Sequence, residues 1–261
     1  MKVMFVGDIH GNTLWWEKTV AKTVVEHQVD LVIQLGDFGW WEKRYPNKLS
    51  PFLTAVENTA VPVWFLDGNH ENHPKLNRAV NRARRQHNIT DLRAKVPLTD
   101  NVSFLPRGAR FSIGETTFLA VGGAASIDRA YRTPGKDWFP EETLNDVEIQ
   151  LAASSGPVDV VLAHDTIAGY VIPGLAPRSQ LPRAWLNELE TCEAHRQKLL
   201  EAVTPTTPKF LLHGHYHSFY QKPVDTSWGE LQIIGVSTDG TRGSLLVADL
   251  NASSFDPQVV I

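Results

Sequence analysis

Five apolar runs along this 261-residue chain each end in a short segment rich in aspartate, asparagine and histidine. Short runs of valine, isoleucine and leucine are typical of strands that are buried in an α/β sheet. Because such sheets gather ligands at the carboxyl ends of their strands, we expect the five segments to meet in one crevice. The polar residues concerned are Asp8 and His10, Asp37, Asn69 and His70, His164, and His215 and His217.

The order of elements predicts two sheets. In the first hundred residues, strands alternate with helices that begin near Asn12, Ser50 and Pro74, an order typical of βαβ units and a parallel sheet. Beyond residue 100 the strands become shorter and glycines separate them, which indicates a second sheet. The later elements are the strands 102–105, 110–113, 117–121, 158–163, 209–212, 231–236 and 244–248 and the helices 141–153 and 184–202.

The composition limits the class of protein. Hydrophobic residues make up 42% of the chain, enough for a buried core, and we expect one domain over residues 1–261. A formal net charge of −4 gives no long-range attraction to polyanions, so no stable nucleic-acid complex is expected. Cys192 is the single cysteine, which excludes an internal disulfide and a cysteine cage for zinc. Without a signal peptide or an apolar membrane span, we expect a cytoplasmic protein with no membrane partner.

The candidate ligands combine carboxylate, amide and imidazole groups and no thiolate. This donor set suits Mn²⁺, which we favour, and also Fe, Zn²⁺ or Ni²⁺. Seven such side chains are too many for one ion, whereas two ions about 3.5 to 4 Å apart, bridged by one carboxylate, would use them all. Each residue alone is more often a capping or hydrogen-bonded side chain at a strand end, so the hypothesis depends on their convergence.

The motifs resemble those of the calcineurin-like metallophosphoesterase superfamily, and they occur in the same order over nearly the whole chain. The resemblance implies a four-layer αββα sandwich with two central mixed β-sheets and a metal site at the carboxyl ends of the strands. It assigns Asp37 as the bridge between two ions. By the same resemblance one ion is held by Asp8, His10, Asp37 and His217, and the other by Asp37, Asn69, His164 and His215.

The resemblance also implies hydrolysis of phosphate esters. Two dications that share a water lower its pKa, so a bridging hydroxide is the expected nucleophile. Asp37 and Asn69 would act through the ions, and His70 would donate a proton to the departing oxygen. The alternative for His70 is a histidine that only supports the metal ligands.

The segment after Asp37 bears on the substrate. Protein serine/threonine phosphatases continue there with an Asp-Arg pair, whereas this chain has Phe38, Gly39, Trp40 and Trp41. Since a monoester dianion gains more from such an arginine than a diester does, we favour a phosphodiesterase that acts on cyclic nucleotides or short nucleic-acid ends. The alternatives are a phosphomonoesterase that acts on proteins or small molecules, and an inactive binding scaffold.

Three further side chains are candidates for substrate binding. Trp40, with Trp41 beside it, could stack on a base, or it could pack beneath a loop. Arg129 and Arg132 lie in a long loop after Gly123 and could grip a phosphate, or they could simply be solvated. Asp165 could orient His164 or a substrate water.

Overall fold

The structure is a computed structural model that describes residues 1–40, 50–154, 156–251 and 254–261. The strands are β1 (Lys2–Val6), β2 (Leu31–Leu35), β3 (Val63–Leu66), β4 (Val96–Pro97), β5 (Val102–Phe104), β6 (Ala109–Ile113), β7 (Thr116–Val121), β8 (Val160–Ala163), β9 (Phe210–His213), β10 (Tyr220–Thr226), β11 (Gly229–Gly235), β12 (Leu245–Asp249) and β13 (Gln258–Val259). The α-helices are α1 (Thr13–Trp15), α2 (Ala21–Glu26), α3 (Pro51–Glu57), α4 (His73–Gln86), α5 (Asp146–Ala153) and α6 (Arg183–Val203). A π-helical turn joins α1 to α2.

The strands form two mixed sheets, as the sequence predicts. The first sheet has the order β13-β12-β1-β2-β3-β5-β4, and the second has the order β10-β11-β9-β8-β7-β6. In the first sheet β1, β2, β3 and β5 run parallel; in the second β7, β8, β9 and β11 do so. The carboxyl ends of these parallel strands carry all the candidate metal ligands.

The hydrophobic core lies in three layers around the two sheets. On β1, Val3 and Phe5 pack between the sheets, whereas Met4 and Val6 pack against the helices of the first half of the chain. A third cluster packs α5 and α6 on the outer face of the second sheet, through residues such as Leu199. Because the central strands are covered on both faces, they are continuous apolar runs without alternation. The expected αββα layering is therefore confirmed.

Local capping explains where the helices begin. The side chain of Asn12 accepts a hydrogen bond from the backbone of Trp15 in α1, and Ser50 does the same for Leu53 in α3. The helix expected from residue 141 instead begins at Asp146, because Asn145 and Glu148 form a capping box. Strand β10 was missed because it is mostly polar and its residues alternate between exposed and half-buried positions. Within the described part of the chain, no helix combines the length and apolar character that crossing a membrane requires.

A buried arginine joins the end of β3 to the segment before α5, near the site. Arg107 donates to Asp67 Oδ2 from Nε at 3.0 Å and from Nη2 at 2.6 Å. It also donates to Glu148 and to the backbone oxygens of Glu141, Glu142 and Thr143. Burial alone would lower the pKa of Arg107, but the carboxylates of Asp67 and Glu148 raise it, so the guanidinium stays charged. Arg107 therefore holds the end of β3 to the turn before α5.

Replacement of Arg107 by methionine should destabilise the fold. The substitution leaves the buried carboxylate of Asp67 without its partner, so the free energy of unfolding should fall by about 3–5 kcal/mol. Urea denaturation of the metal-free protein measures it. The control Arg78→Met, on an exposed face of α4, should change stability by no more than about 0.5 kcal/mol. Equal stability of Arg107→Met and the unmodified protein would contradict this role.

Candidate metal centre

Asp37 lies just past the end of β2 and faces ligands on two sides. Its side chain is 2% exposed. Oδ1 accepts a hydrogen bond from the backbone N–H of His70 at 2.8 Å. Oδ2 lies 3.3 Å from His164 Nε2 and 3.9 Å from His10 Nδ1. One carboxylate oxygen therefore points between the two expected groups of ligands.

The first group contains Asp8, His10 and His217. Asp8 Oδ2 lies 3.0 Å from His217 Nε2 and 3.9 Å from His10 Nε2, and the two imidazole nitrogens are 3.3 Å apart. Asp8 Oδ1 accepts from the backbone N–H of His215 at 2.9 Å, which fixes the carboxylate and leaves Oδ2 toward the histidines. The ends of β1 and β9 thus supply three converging ligand atoms.

The second group contains Asn69, His164 and His215. His164 Nδ1 lies 2.8 Å from the backbone oxygen of Leu35 and donates to it, so Nε2 is the atom turned toward the site. That nitrogen lies 3.2 Å from Asn69 Oδ1. The rings of His164 and His215 have centroids 5.1 Å apart. The structure thus places near one another the seven side chains that the sequence predicts as ligands, and their binding of ions stays a prediction.

The spacing of these atoms fits bound cations. Nitrogen and oxygen ligands lie about 2.0–2.2 Å from an ion such as Zn²⁺, so neighbouring ligand atoms around one ion are about 3–3.5 Å apart. The contacts in the two groups cluster at 3.0–3.3 Å, with two wider ones at 3.9 Å. Because the donors are carboxylate, amide and imidazole, the set suits borderline divalent metals.

The backbone at this edge is held in uncommon conformations. Four ligand residues have positive φ angles: His10 (49°), Asp37 (54°), His215 (69°) and His217 (52°). For residues other than glycine this region costs roughly 1–2 kcal/mol each. Strain of this kind is concentrated at functional sites because the surrounding structure must hold it in place.

Two glycines leave room for the carboxylates. A Cβ atom added to Gly68 would lie 2.2 Å from Asp37 Oδ1, and one added to Gly214 would lie 2.2 Å from Asp8 Oδ1. Both distances are far below van der Waals contact. Gly68, directly before Asn69, and Gly214, directly before His215, are therefore needed for close approach to the ligand side chains.

The electrostatics of the metal-free site reflect its opposed charges. Burial would raise the pKa values of Asp8 and Asp37, but the facing imidazoles, led by His164, hold both below the usual range. Burial would likewise lower the pKa of His164, yet Asp37 and then Asp8 raise it to about 10. The protonated imidazole of His164 therefore supplies positive charge beside the carboxylates of Asp37 and Asp8.

Glu71 supports the turns that carry the ligands. Its carboxylate accepts from the backbone N–H of Gly39 at 3.1 Å and from that of Gly68 at 2.6 Å. Burial, and next the charge of Asp37, raise the pKa of Glu71 to about 8. No role was predicted for Glu71 from the sequence, although its position directly after His70 was a signal.

The partly exposed ring of His70 contacts the largely buried side chain of Arg132. Arg132 Nη2 lies 2.6 Å from His70 Nε2, and Arg132 Nε donates to Asp128 Oδ1 at 2.8 Å. A guanidinium can only donate, so in this arrangement His70 Nε2 accepts. Burial lowers the pKa of His70, and Arg132 adds to that effect against the opposing charge of Asp37. His70 Nε2 is also 4.0 Å from Asp37 Oδ2.

The other predicted substrate contacts have different surroundings. Trp40 is 3% exposed and stacks on Phe65 with a centroid distance of 5.9 Å, so it packs in the core and offers no ring face to a base. Its neighbour Trp41 lies outside the described residues. Arg129 pairs with Glu188 at 3.7 Å and lies over the ring of Trp138.

Asp165 does not orient His164, contrary to one expectation from the sequence. Its carboxylate accepts from His195 Nδ1 at 2.8 Å and from the Tyr216 hydroxyl at 2.7 Å. The backbone oxygen of Leu35 takes the place of a carboxylate beside His164 Nδ1. Leu35 ends β2 in the first sheet, whereas His164 follows β8 in the second. This contact therefore depends on how the two sheets pack together, which the local sequence around His164 does not specify.

Metal binding at about pH 8 should release a proton from His164, because Nε2 must be deprotonated to bind an ion and the pKa near 10 keeps it protonated beforehand. Metal affinity should consequently rise with pH up to about that pKa. Calorimetric titration of Mn²⁺ into metal-free protein, in buffers of different ionisation enthalpy, measures the release. A binding heat that is independent of the buffer would contradict the assignment.

Comparison with known proteins gives a family match and distant structural neighbours. A novel phosphatase from Mycoplasma pneumoniae has 12% identity and a TM-score of 0.47, with 100% of this chain and 92% of that chain covered. A hypothetical protein from Thermus thermophilus has 14% identity and a TM-score of 0.43, with 93% and 77% covered. Comparison with curated protein sequences yields no match.

Structural similarities with such low identity and TM-score support no conclusion about function. The family assignment depends instead on the match of the sequence to a family model. The family model described as calcineurin-like phosphoesterase matches residues 1–219. That span is most of the 261-residue chain and contains every candidate ligand. The chain therefore belongs to the calcineurin-like phosphoesterase family.

Proposed function

We propose that this metal-dependent phosphoesterase hydrolyses phosphodiesters, with cyclic nucleotides or short nucleic-acid ends as the substrate class. The observation that carries the proposal is the partly neutralised Arg132, whose Nε is paired with Asp128 at 2.8 Å. Its remaining positive charge matches the single charge of a diester better than the two charges of a monoester. In addition, Phe38, next to Asp37, is fully buried and adds no charge to the site.

In this proposal, the seven ligand side chains hold two ions, with Asp37 between them. The ions would supply a hydroxide nucleophile at neutral pH and positive charge for the phosphate oxygens. Mn²⁺ is favoured, and Fe, Zn²⁺ and Ni²⁺ suit the same donors. The residues 1–261 would form one domain, since β10 to β13, beyond the matched residues, pair within the two sheets.

Arg132 and His70 would act on the substrate itself. Arg132 Nη2 would turn from His70 Nε2 to a phosphate oxygen bound beside the partly exposed ring of His70. That movement frees His70 Nε2 to carry a proton and to donate it to the departing oxygen. A cytoplasmic setting is part of the proposal, because a chain with one cysteine gains nothing from an oxidising compartment.

A phosphomonoesterase is the second candidate. It would require Arg132 to leave Asp128, so that the guanidinium could offer its full charge to a dianion. The two candidates differ in the charge of the preferred substrate, so a matched pair of aryl esters separates them.

The manganese-loaded protein should hydrolyse bis-p-nitrophenyl phosphate with a higher kcat/KM than p-nitrophenyl phosphate. The leaving group is the same in both esters, so the ratio reports the preference for a monoanion or a dianion. A higher kcat/KM for the monoester would reject the diesterase and support the second candidate. Hydrolysis of neither ester would reject both.

Substitution His70→Ala should leave metal content unchanged and slow alkyl esters by about 10²–10⁴-fold, the usual contribution of a general acid. p-Nitrophenyl esters should be slowed less, because their leaving group needs little protonation. The control is His87→Ala, at an exposed position after α4, which should keep the full rate. If His70→Ala kept its full rate on alkyl esters, His70 would not be the proton donor.

A further inference from the structure

The side-chain amide of Asn69 can point either of two ways, and only one of them suits a cation. Its oxygen is a ligand, whereas its NH₂ group is a donor that a cation repels. Asn69 is 3% exposed, and Oδ1 faces His164 Nε2 at 3.2 Å. Something in the surrounding structure must favour this orientation over the reversed one.

The opposite end of the amide contacts a buried serine from the loop after β7. Asn69 Nδ2 donates to Ser126 Oγ at 2.9 Å. The Ser126 hydroxyl donates in turn to Glu142 Oε2 at 2.6 Å, and the Ser126 backbone N–H donates to Glu142 Oε1 at 2.9 Å. Ser126 and Glu142 are 3% and 2% exposed, so bulk water does not compete for these hydrogen bonds.

This chain of hydrogen bonds has a direction. An ionised carboxylate can only accept, so the Ser126 hydroxyl must use its single proton toward Glu142. The hydroxyl oxygen can then only accept from Asn69, and the Nδ2 group is the donor available. Glu142 and Ser126 therefore favour, from the side away from the site, the same amide orientation that a protonated His164 Nε2 favours from within it.

Further hydrogen bonds join the segments that carry the three residues. Arg107 binds Asp67, two residues before Asn69, and also the backbone oxygens of Glu141 and Glu142. In the loop that carries Ser126, the backbone N–H of Gly123 donates to the Asp67 oxygen at 2.8 Å and that of Ala124 donates to the Glu142 oxygen at 3.0 Å. This loop is thus tied to both ends of the chain of hydrogen bonds.

We propose that Glu142 and Ser126 are positioning residues for the metal centre, which fix the Asn69 amide with its oxygen toward the ion. The inference rests on the proposed metal site and adds residues that the ligand set does not contain. Neither residue contacts an ion or the substrate. Supporting groups of this kind typically change metal affinity about 10–100-fold when they are replaced.

The variant Glu142→Gln keeps the size of the side chain but replaces its carboxylate with an amide. It therefore tests the direction of the hydrogen bonds. The glutamine NH₂ would donate to Ser126 Oγ, which frees the hydroxyl proton for Asn69 Oδ1 and favours the reversed amide. In equilibrium dialysis of the full chain with Mn²⁺, Glu142→Gln and Ser126→Ala should keep one tight ion and bind the other about 10–100-fold more weakly. At two equivalents of Mn²⁺, the paramagnetic resonance signal should change from exchange-coupled to mononuclear.

Two controls separate positioning from general damage to the fold. Ser244→Ala also removes a fully buried hydroxyl, but one that has no hydrogen-bond partner among the described residues, and should leave both ions tightly bound. Since Glu142 acts through Ser126, adding Glu142→Gln to Ser126→Ala should lower the affinity little further. Additive losses, or two tight ions in Glu142→Gln, would overturn the proposal.

A readout without metal tests the same claim independently. The side-chain NH₂ resonances of Asn69, assigned by their loss in Asn69→Asp, should exchange slowly with solvent in the metal-free protein and quickly in Ser126→Ala. Fast exchange in the unmodified protein would refute the positioning role. If exchange is slow and two ions bind but neither aryl ester is hydrolysed, the proposed function fails while the positioning role stands.

Discussion

Burying Asp8 and Asp37 side by side at a sheet edge is costly unless positive charge lies between and around them. In the metal-free chain the imidazole of His164 supplies that charge, 3.3 Å from Asp37 Oδ2. Much of the nearby structure follows from this requirement. The glycines clear space for the carboxylates, and four ligand residues accept left-handed backbone conformations. Arg107 holds the end of β3 in place from behind.

The strand-end ligands could be predicted from the sequence because their positions follow from a simple rule. Each lies within a few residues of the end of a buried apolar run, and parallel strands bring those ends to one edge. The order of strands within each sheet was harder to predict, since it depends on which strands the crossover connections bring side by side. The polar pattern of β10 gave no strand signal of its own.

The supporting residues could not be predicted in the same way. Ser126 and Glu142 come from the long segment between β7 and α5, where neither periodicity nor a motif indicates which side chain turns inward. Arg132, in the same segment, was a candidate phosphate contact, but its contact with His70 was not predicted. Trp40, by contrast, was a candidate for stacking on a base because it lies close to a ligand in the sequence. It lies three residues from Asp37 in sequence, but its ring stacks on Phe65 inside the core. Proximity in sequence to a ligand does not fix the direction of a side chain.

Two cations bound on either side of Asp37 would be located by anomalous X-ray diffraction from crystals of the protein grown with Mn²⁺. We expect two peaks about 3.5–4 Å apart on either side of the Asp37 carboxylate. A single peak, or peaks remote from Asp37, would contradict this expectation.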